Sequence, residues 1–249
     1  MEKINRMDPR LNVIDERLSD VKRIIAISGG KGGVGKSSVS SMLALIFKDM
    51  GKKVGLLDLD LSGPTDHVIL GVKDVFPEEE KGIIPPILSG IEFMSIVYFT
   101  GENPLPFRGG DYSNATVELL AITRWNDLNY LIIDMPPGTG DATLDVIRVI
   151  KNIEFIMVGN QSKLTFETLR KVILMSKEAG KKVIGVIENM KVAEGGKGEN
   201  KLASLDVPFL GGICFDEKYE SSLGNVDKLL KTQFSEDLKE IILNNPEAF

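Results

Sequence analysis

Gly29-Gly30-Lys31-Gly32-Gly33-Val34-Gly35-Lys36-Ser37-Ser38 (residues 29–38, GGKGGVGKSS) follows the apolar run Arg23 to Ile27 and leads into a stretch with helical apolar spacing. Gly30, Gly35, Lys36 and Ser37 fill the fixed positions of the Walker A pattern. Glycines let successive backbone N–H groups curl toward one concavity, and the helix that follows adds the positive end of its dipole. Residues Gly30, Lys31, Gly32, Gly33, Val34, Gly35, Lys36, Ser37 and Ser38 therefore read as a polyphosphate cradle. Lys36 is expected to reach the β- and γ-phosphates as a point charge, and the Ser37 hydroxyl to hold Mg²⁺. A ligand-free glycine turn is the plain alternative, but the strand, loop and helix context is the one the motif demands. A Rossmann fingerprint carries no lysine at the position of Lys36.

Working outward, two acidic segments match this loop. Tyr130 to Asp134 (YLIID) is an apolar strand that ends in a carboxylate, followed by Met135-Pro136-Pro137-Gly138-Thr139-Gly140-Asp141. An acid at the end of a strand neighbouring the loop can hold Mg²⁺ through water, so Asp134 fits the Walker B role. The second segment is Asp58-Leu59-Asp60-Leu61-Ser62-Gly63-Pro64-Thr65 after the strand Val54 to Leu57. Period-2 alternation puts Asp58 and Asp60 on one side of the chain. Asp58 is expected to support the metal shell through water, and Asp60 to orient the attacking water. The catalytic candidates are thus Lys31, Lys36 and Asp60, and the metal candidates Ser37, Asp58 and Asp134.

Short apolar runs alternate with amphipathic stretches along the rest of the chain, the pattern of an α/β, mainly parallel sheet with crossover helices. Strands are expected at Arg23 to Ile27, Val54 to Leu57, Ile91 to Ile96, Tyr130 to Ile133, Glu154 to Val158, Lys182 to Ile187 and Pro208 to Ile213, about seven in all. Helices fit at Lys36 to Met50, Asn114 to Trp125, Asp141 to Ile150 and Thr165 to Ala179. Lys73 to Gly90 and Lys191 to Lys201 lack periodicity and read as loops. Val226 to Leu243 places its apolar residues on one helical face. Its mixed-charge polar face favours packing on the domain over a membrane surface. Residues 1–249 are expected to form a single domain, with an N-terminal extension over about 1–20.

The chain has 249 residues, 43% hydrophobic and 27% charged, the composition of a globular protein. Its net charge of −6 argues against general nucleic-acid affinity. No apolar run reaches the roughly 18 residues of a membrane helix. The N-terminus lacks a signal-peptide h-region, so a cytoplasmic location is expected and stable membrane association is not. One cysteine, Cys214, excludes a disulfide scaffold and is read as buried in an apolar run.

Taken together, GGKGGVGK with Lys31, DLDLSGPT, the Phe107-Arg108-Gly109 triplet, DMPPGTGD and VIENM make the chain resemble P-loop ATPases of the deviant Walker A (MinD/ParA) class. Within that class it is most similar to Mrp/ApbC-type iron–sulfur carriers. The resemblance implies a three-layer P-loop NTPase fold, ATP/ADP with Mg²⁺, slow dimerisation-dependent ATP hydrolysis, and a homodimer in which Lys31 reaches the partner's nucleotide. It further implies that Asn189 contacts adenine, that Pro208 to Glu217 form part of the base pocket, and that the protein partner is an iron–sulfur assembly factor or client. The absence of an Asn-Lys-x-Asp motif agrees with ATP over GTP. The family's Cys-x-x-Cys after Asn189-Met190 is missing: Lys191 to Gly196 contain no cysteine. Carriage of an iron–sulfur cluster by the usual four thiolates is therefore not expected. A positioning switch of the ParA or MinD kind, or a nucleotide-gated regulator of a partner, is the alternative output. His67 reads as a surface or packing residue, and Phe107-Arg108-Gly109-Gly110 as a loop that is either a partner contact or simply exposed at its arginine.

Overall fold

The computed structural model describes residues 8–101, 110–192 and 205–249. The Lys191 to Lys201 loop lies mostly outside these residues, and so do Phe107, Arg108 and Gly109. Strands β1 (Val21–Gly29), β2 (Val54–Asp58), β6 (Ile91–Ser95), β7 (Leu128–Asp134), β8 (Ile153–Gly159), β9 (Lys182–Lys191) and β10 (Phe209–Cys214) are the seven read from the sequence. They pair in parallel in the order β10-β9-β8-β1-β7-β2-β6. An eighth strand, β5 (Ile87–Leu88), adds antiparallel to β6 at the edge.

The central strands are apolar on both faces because both are covered. Ile25 and Ile27 of β1 pack into one core with Leu56 and Ile132, while Ile24 and Ala26 pack into the other with Leu57, Leu131 and Ile133. Helix α2 (Lys36–Asp49) sits in the first core through Val39, Met42, Leu43 and Ile46. Each of these buried aliphatic side chains contributes about 2 kcal/mol of transfer free energy. Helices α5 (Gly110–Ile122), α6 (Asp141–Val149) and α7 (Lys163–Glu178) cover the opposite face. This is the three-layer arrangement that the alternation of strands and helices implied.

One sequence expectation is filled in and three are corrected. Part of the N-terminal extension is helix α1 (Arg10–Arg17), docked on α5 by the fully buried Ile14 and by an Arg17 Nε bond to the Ala121 carbonyl at 3.3 Å. Lys73 to Gly90 is not all loop: β3 (Glu78–Glu79) pairs antiparallel with β4 (Ile83–Ile84) around Lys81 and Gly82, both at positive φ, and β5 follows. The C-terminal helix is broken into α9 (Val226–Leu229) and α10 (Gln233–Asn244), because Thr232 caps α10 by accepting from Ser235 N at 3.2 Å. Phe234, Leu238, Ile241 and Ile242 bury the α10 face against the first core, the packing role expected of it. Cys214 is exposed, not buried, because β10 is an edge strand and Cys214 is its last residue. Among the described residues no helix is long and apolar enough to cross a membrane.

Candidate functional site

The sheet register assembles the site. Asp134 ends β7 opposite Ile27 of β1 on one side and opposite Asp58 of β2 on the other. The loop after β1 and the two acids thus leave the carboxyl ends of three adjacent strands. Backbone bonds lock them together: Met135 N donates to Ile27 O at 3.1 Å, Leu59 N to Asp134 O at 2.9 Å, and Gly138 N to Gly29 O at 3.1 Å.

Glycine is required in the loop for two distinct reasons. Gly33 and Gly35 have φ of 77° and 86°, where a side chain is strained. At Gly30 a Cβ would lie 2.3 Å from Thr168 Oγ1 and 2.4 Å from Leu169 N on α7, so the loop lies directly on that helix. Gly32 has open space around it, and Lys31 beside it is exposed. Val34 is fully buried and anchors the loop.

Lys36 opens α2 and is buried, with Nζ 3.8 Å from Asp60 Oδ2. Asp60 Oδ1 accepts from Ser62 Oγ at 2.6 Å. Ser37 Oγ donates to Asp134 Oδ2 at 2.5 Å, and Ser40 Oγ to Asp134 Oδ1 at 3.1 Å. Asp58 accepts from Asp60 N at 3.1 Å and from Ser95 Oγ at 3.2 Å. Lys31, Lys36, Ser37, Asp58, Asp60 and Asp134 thus all gather at one end of the sheet. Ser38, the next residue of α2, is half-buried.

One acid in this cluster escaped the sequence reading. Asp66, the first residue of α3 (Asp66–Leu70), is fully buried and accepts from Ser41 Oγ at 2.7 Å. Asp58, Asp66 and Asp134 each present a carboxylate oxygen, all within 4.8 Å of one another. At that spacing two unit charges repel by about 3 kcal/mol at an effective dielectric of about 20. Burial, reinforced by the charges of Asp134 and Asp58, pushes the Asp66 carboxyl well above the usual carboxylate range. Burial and the Asp134 charge do the same to Asp58. Asp134 is pushed up by burial to about 6, held back by the Lys36 charge and the Ser37 hydrogen bond. The only sequence signal for Asp66 was its place directly after the Gly63-Pro64-Thr65 turn. His67 lies beside it on α3, half-buried.

Asn189, near the end of β9, braces the loop: its Nδ2 donates to Val34 O at 3.0 Å, and its Oδ1 accepts from Met190 N at 2.9 Å. A Cβ at Gly35 would sit 2.1 Å from that Nδ2. The carboxamide keeps one N–H and one lone pair for a further partner. Beyond it, Met190 has φ of 57° and Phe215, which donates its N–H to Lys191 O at 3.1 Å, is exposed.

The donor set suits a hard cation: three carboxylates and the Ser37 hydroxyl are oxygen ligands, the chemistry of Mg²⁺ rather than of a thiophilic metal. A glycine-rich anion loop on a central parallel strand, with its lysine and serine facing a carboxylate on the adjacent strand, defines a P-loop NTPase. The chain belongs to the ParA-type family described as the NUBPL iron-transfer P-loop NTPases, whose model matches residues 20–245. It is 38% identical to an iron–sulfur cluster carrier protein of Methanocaldococcus jannaschii, over 92% of this chain and 86% of the relative. Among solved structures it superposes on a nucleotide-binding protein of Archaeoglobus fulgidus in complex with ADP (TM-score 0.77, 30% identity, 92% of this chain and 96% of the other). Septum site-determining MinD of Pyrococcus horikoshii, complexed with Mg-ADP, shares the fold (TM-score 0.66, 22% identity, 88% of this chain and 93% of the other).

Proposed function

We propose that this chain is a magnesium-dependent ATPase that acts as a nucleotide-gated homodimer in iron–sulfur cluster assembly. The observation that carries the reading is the convergence of Lys36, Ser37, Asp58, Asp60 and Asp134 on the glycine loop through the β1-β7-β2 register. The loop N–H groups and Lys36 bind the phosphates. Ser37 together with Asp134 and Asp58 would hold Mg²⁺, which when bound offsets the charge of the phosphate oxygens.

Asp60 is the residue that would orient the attacking water. Its Oδ2 lies 3.8 Å from Lys36 Nζ. Phosphate oxygens that engage the ammonium release this carboxylate to orient a water toward the γ-phosphate. The exposure of Lys31 at the rim suits a lysine that completes the site of a second copy. Asn189 uses its remaining N–H and lone pair toward the adenine.

Its output is a change of shape delivered to an iron–sulfur assembly factor or client. Cys214 offers one exposed thiol per chain, two per homodimer, so the proposed role is accessory to the four-thiolate carriage of relatives. In a phosphate-release assay with Mg-ATP, Asp60→Ala and Lys31→Ala should each lose at least 90% of turnover while still binding ADP (about tenfold or more, from general-base and charge-stabilisation magnitudes). Unchanged turnover in both variants rejects the mechanism. Anaerobic reconstitution is expected to leave no bound iron; a stable chromophore would instead assign direct carriage.

A further inference from the structure

Asp66 departs from the other acids of the site in one respect. Its Oδ1 is satisfied by Ser41 Oγ at 2.7 Å, but its Oδ2 is buried with no hydrogen-bond partner. A buried carboxylate oxygen without a donor loses its water and receives nothing in exchange. Ser37 and Ser40 bond to Asp134, Ser95 bonds to Asp58, and the Lys36 ammonium faces Asp60; Tyr219 Oη, which is buried and feels the Asp66 charge, makes no hydrogen bond to it. The carboxylates that converge on that of Asp66, those of Asp58 and Asp134, are themselves acceptors, each with an oxygen within 4.8 Å of an Asp66 oxygen. No side-chain donor bonds to this oxygen, and a small, hard cation is a partner that three converging acceptors can share.

We propose that Asp66 is a third carboxylate of the divalent-cation site, held in place by Ser41, and that this chain binds Mg²⁺ or Mn²⁺ through Asp58, Asp66 and Asp134 before nucleotide arrives. The inference rests on the magnesium-nucleotide reading of the same site. It adds a residue from α3 to a cation site otherwise drawn from β2, β7 and the start of α2. A third acid raises the charge facing the ion, so cation binding no longer depends on phosphate oxygens to complete the coordination. Because α3 follows directly from the Asp60 to Thr65 turn, the ion also ties that turn to the loop.

The test is Mn²⁺ binding to the nucleotide-free protein, followed by electron paramagnetic resonance of the unbound ion, with ADP binding in excess Mg²⁺ measured separately. The wild type is expected to bind one Mn²⁺ per chain, and Asp66→Asn, which keeps the shape and an acceptor for Ser41, to weaken it about tenfold or more. Ser41→Ala should weaken it by a smaller factor, about threefold, as a positioning residue does. The melting temperature in EDTA should rise in Asp66→Asn, because a buried like charge is removed, while the gain on adding Mg²⁺ shrinks. A wild type that binds ADP but no Mn²⁺ without nucleotide, or an Asp66→Asn variant with unchanged Mn²⁺ affinity, overturns the proposal and leaves the nucleotide reading standing. If Asp66→Asn does not fold, unchanged affinity in Ser41→Ala overturns it. A wild type that binds no ADP in excess Mg²⁺ fails the nucleotide reading itself.

Discussion

The two ends of the same sheet treat their acids in opposite ways. At the amino end, Glu154 of β8 lies between two cations: Arg23 Nε of β1 bonds to one carboxylate oxygen, and Lys182 Nζ of β9 lies 2.6 Å from the other. Arg23 also donates to the carbonyls of Ala248 at 2.7 Å and Phe249 at 2.9 Å, pinning the C-terminus to the sheet. At the carboxyl end, Asp58, Asp66, Asp134 and Asp60 share one buried ammonium, Lys36. The acidities record the difference: the Glu154 carboxyl is held below its usual range by its Arg23 and Lys182 hydrogen bonds, against the penalty of burial, whereas those of Asp58, Asp66 and Asp134 are pushed up. One acid stabilises the fold by itself. The others crowd more negative charge than the one buried ammonium beside them balances, which is how the proposed binding site departs from a stable core.

Removing the buried cation Lys36 from the carboxyl end should produce the largest effect. Lys36→Ala leaves four acids with no buried cation beside them and deletes the charge proposed to meet the phosphates. ADP affinity is expected to fall about 100-fold, the equivalent of two charge-assisted hydrogen bonds of about 1.5 kcal/mol each. Calorimetric titration in Mg²⁺ reads this directly, and a loss under threefold would show that backbone N–H groups carry the phosphates alone.

Relieving the same crowding from the other direction should stabilise the empty protein. Asp58→Asn keeps an oxygen for Asp60 N, and its amide can donate to Ser95 Oγ, so both hydrogen bonds persist while a charge disappears. In EDTA near pH 7 the gain is expected at about 2 kcal/mol, or about 4 to 8 °C in melting temperature for a chain of this size. The Mg²⁺-dependent part of ADP affinity should fall at the same time. A variant less stable than the wild type in EDTA would mean that the acids are not in repulsion, and the contrast between the two ends would lose its electrostatic basis.

How far the sequence revealed this contrast depended on how local each feature is. The loop, Asp134 and Asp58 were legible because each ends an apolar run, and in a parallel sheet strand ends lie together. Asp66 was not, since its place in the cluster depends on where a turn and the five-residue helix α3 return the chain. Helix α1 escaped notice because only Ile14 of its residues is buried, which leaves almost no apolar period to read. Strands β3, β4 and β5 are two residues long, too short for alternation to register. Cys214 misled because an apolar run suggests burial on both sides, whereas β10 has a neighbour on one side only. Asn189 was assigned by resemblance to the base alone; its bond to Val34 O shows a bracing role that spacing could not reveal.

The smallest expected effect lies at the balanced end and has the most specific pH signature. Glu154→Gln keeps one acceptor but turns an amide toward a cation, so near pH 7 it should cost about 1 kcal/mol, or about 2 to 4 °C, a modest value because Lys182 is largely exposed and its share is screened by water. The Glu154 pKa is lowered from 4.5 in the folded chain. Between the folded and unfolded values the unfolded chain binds more protons, so the wild type loses stability as pH falls through that window. The gap between wild type and Glu154→Gln should therefore be full above about pH 5 and close progressively below pH 4.5. The pair at Asp58→Asn behaves otherwise: its advantage comes from a charge the wild type does not want when empty, and it should disappear when Mg²⁺ and ADP are added. A Glu154→Gln gap that stays constant down to pH 3 would show that packing, not charge, holds the amino end of the sheet.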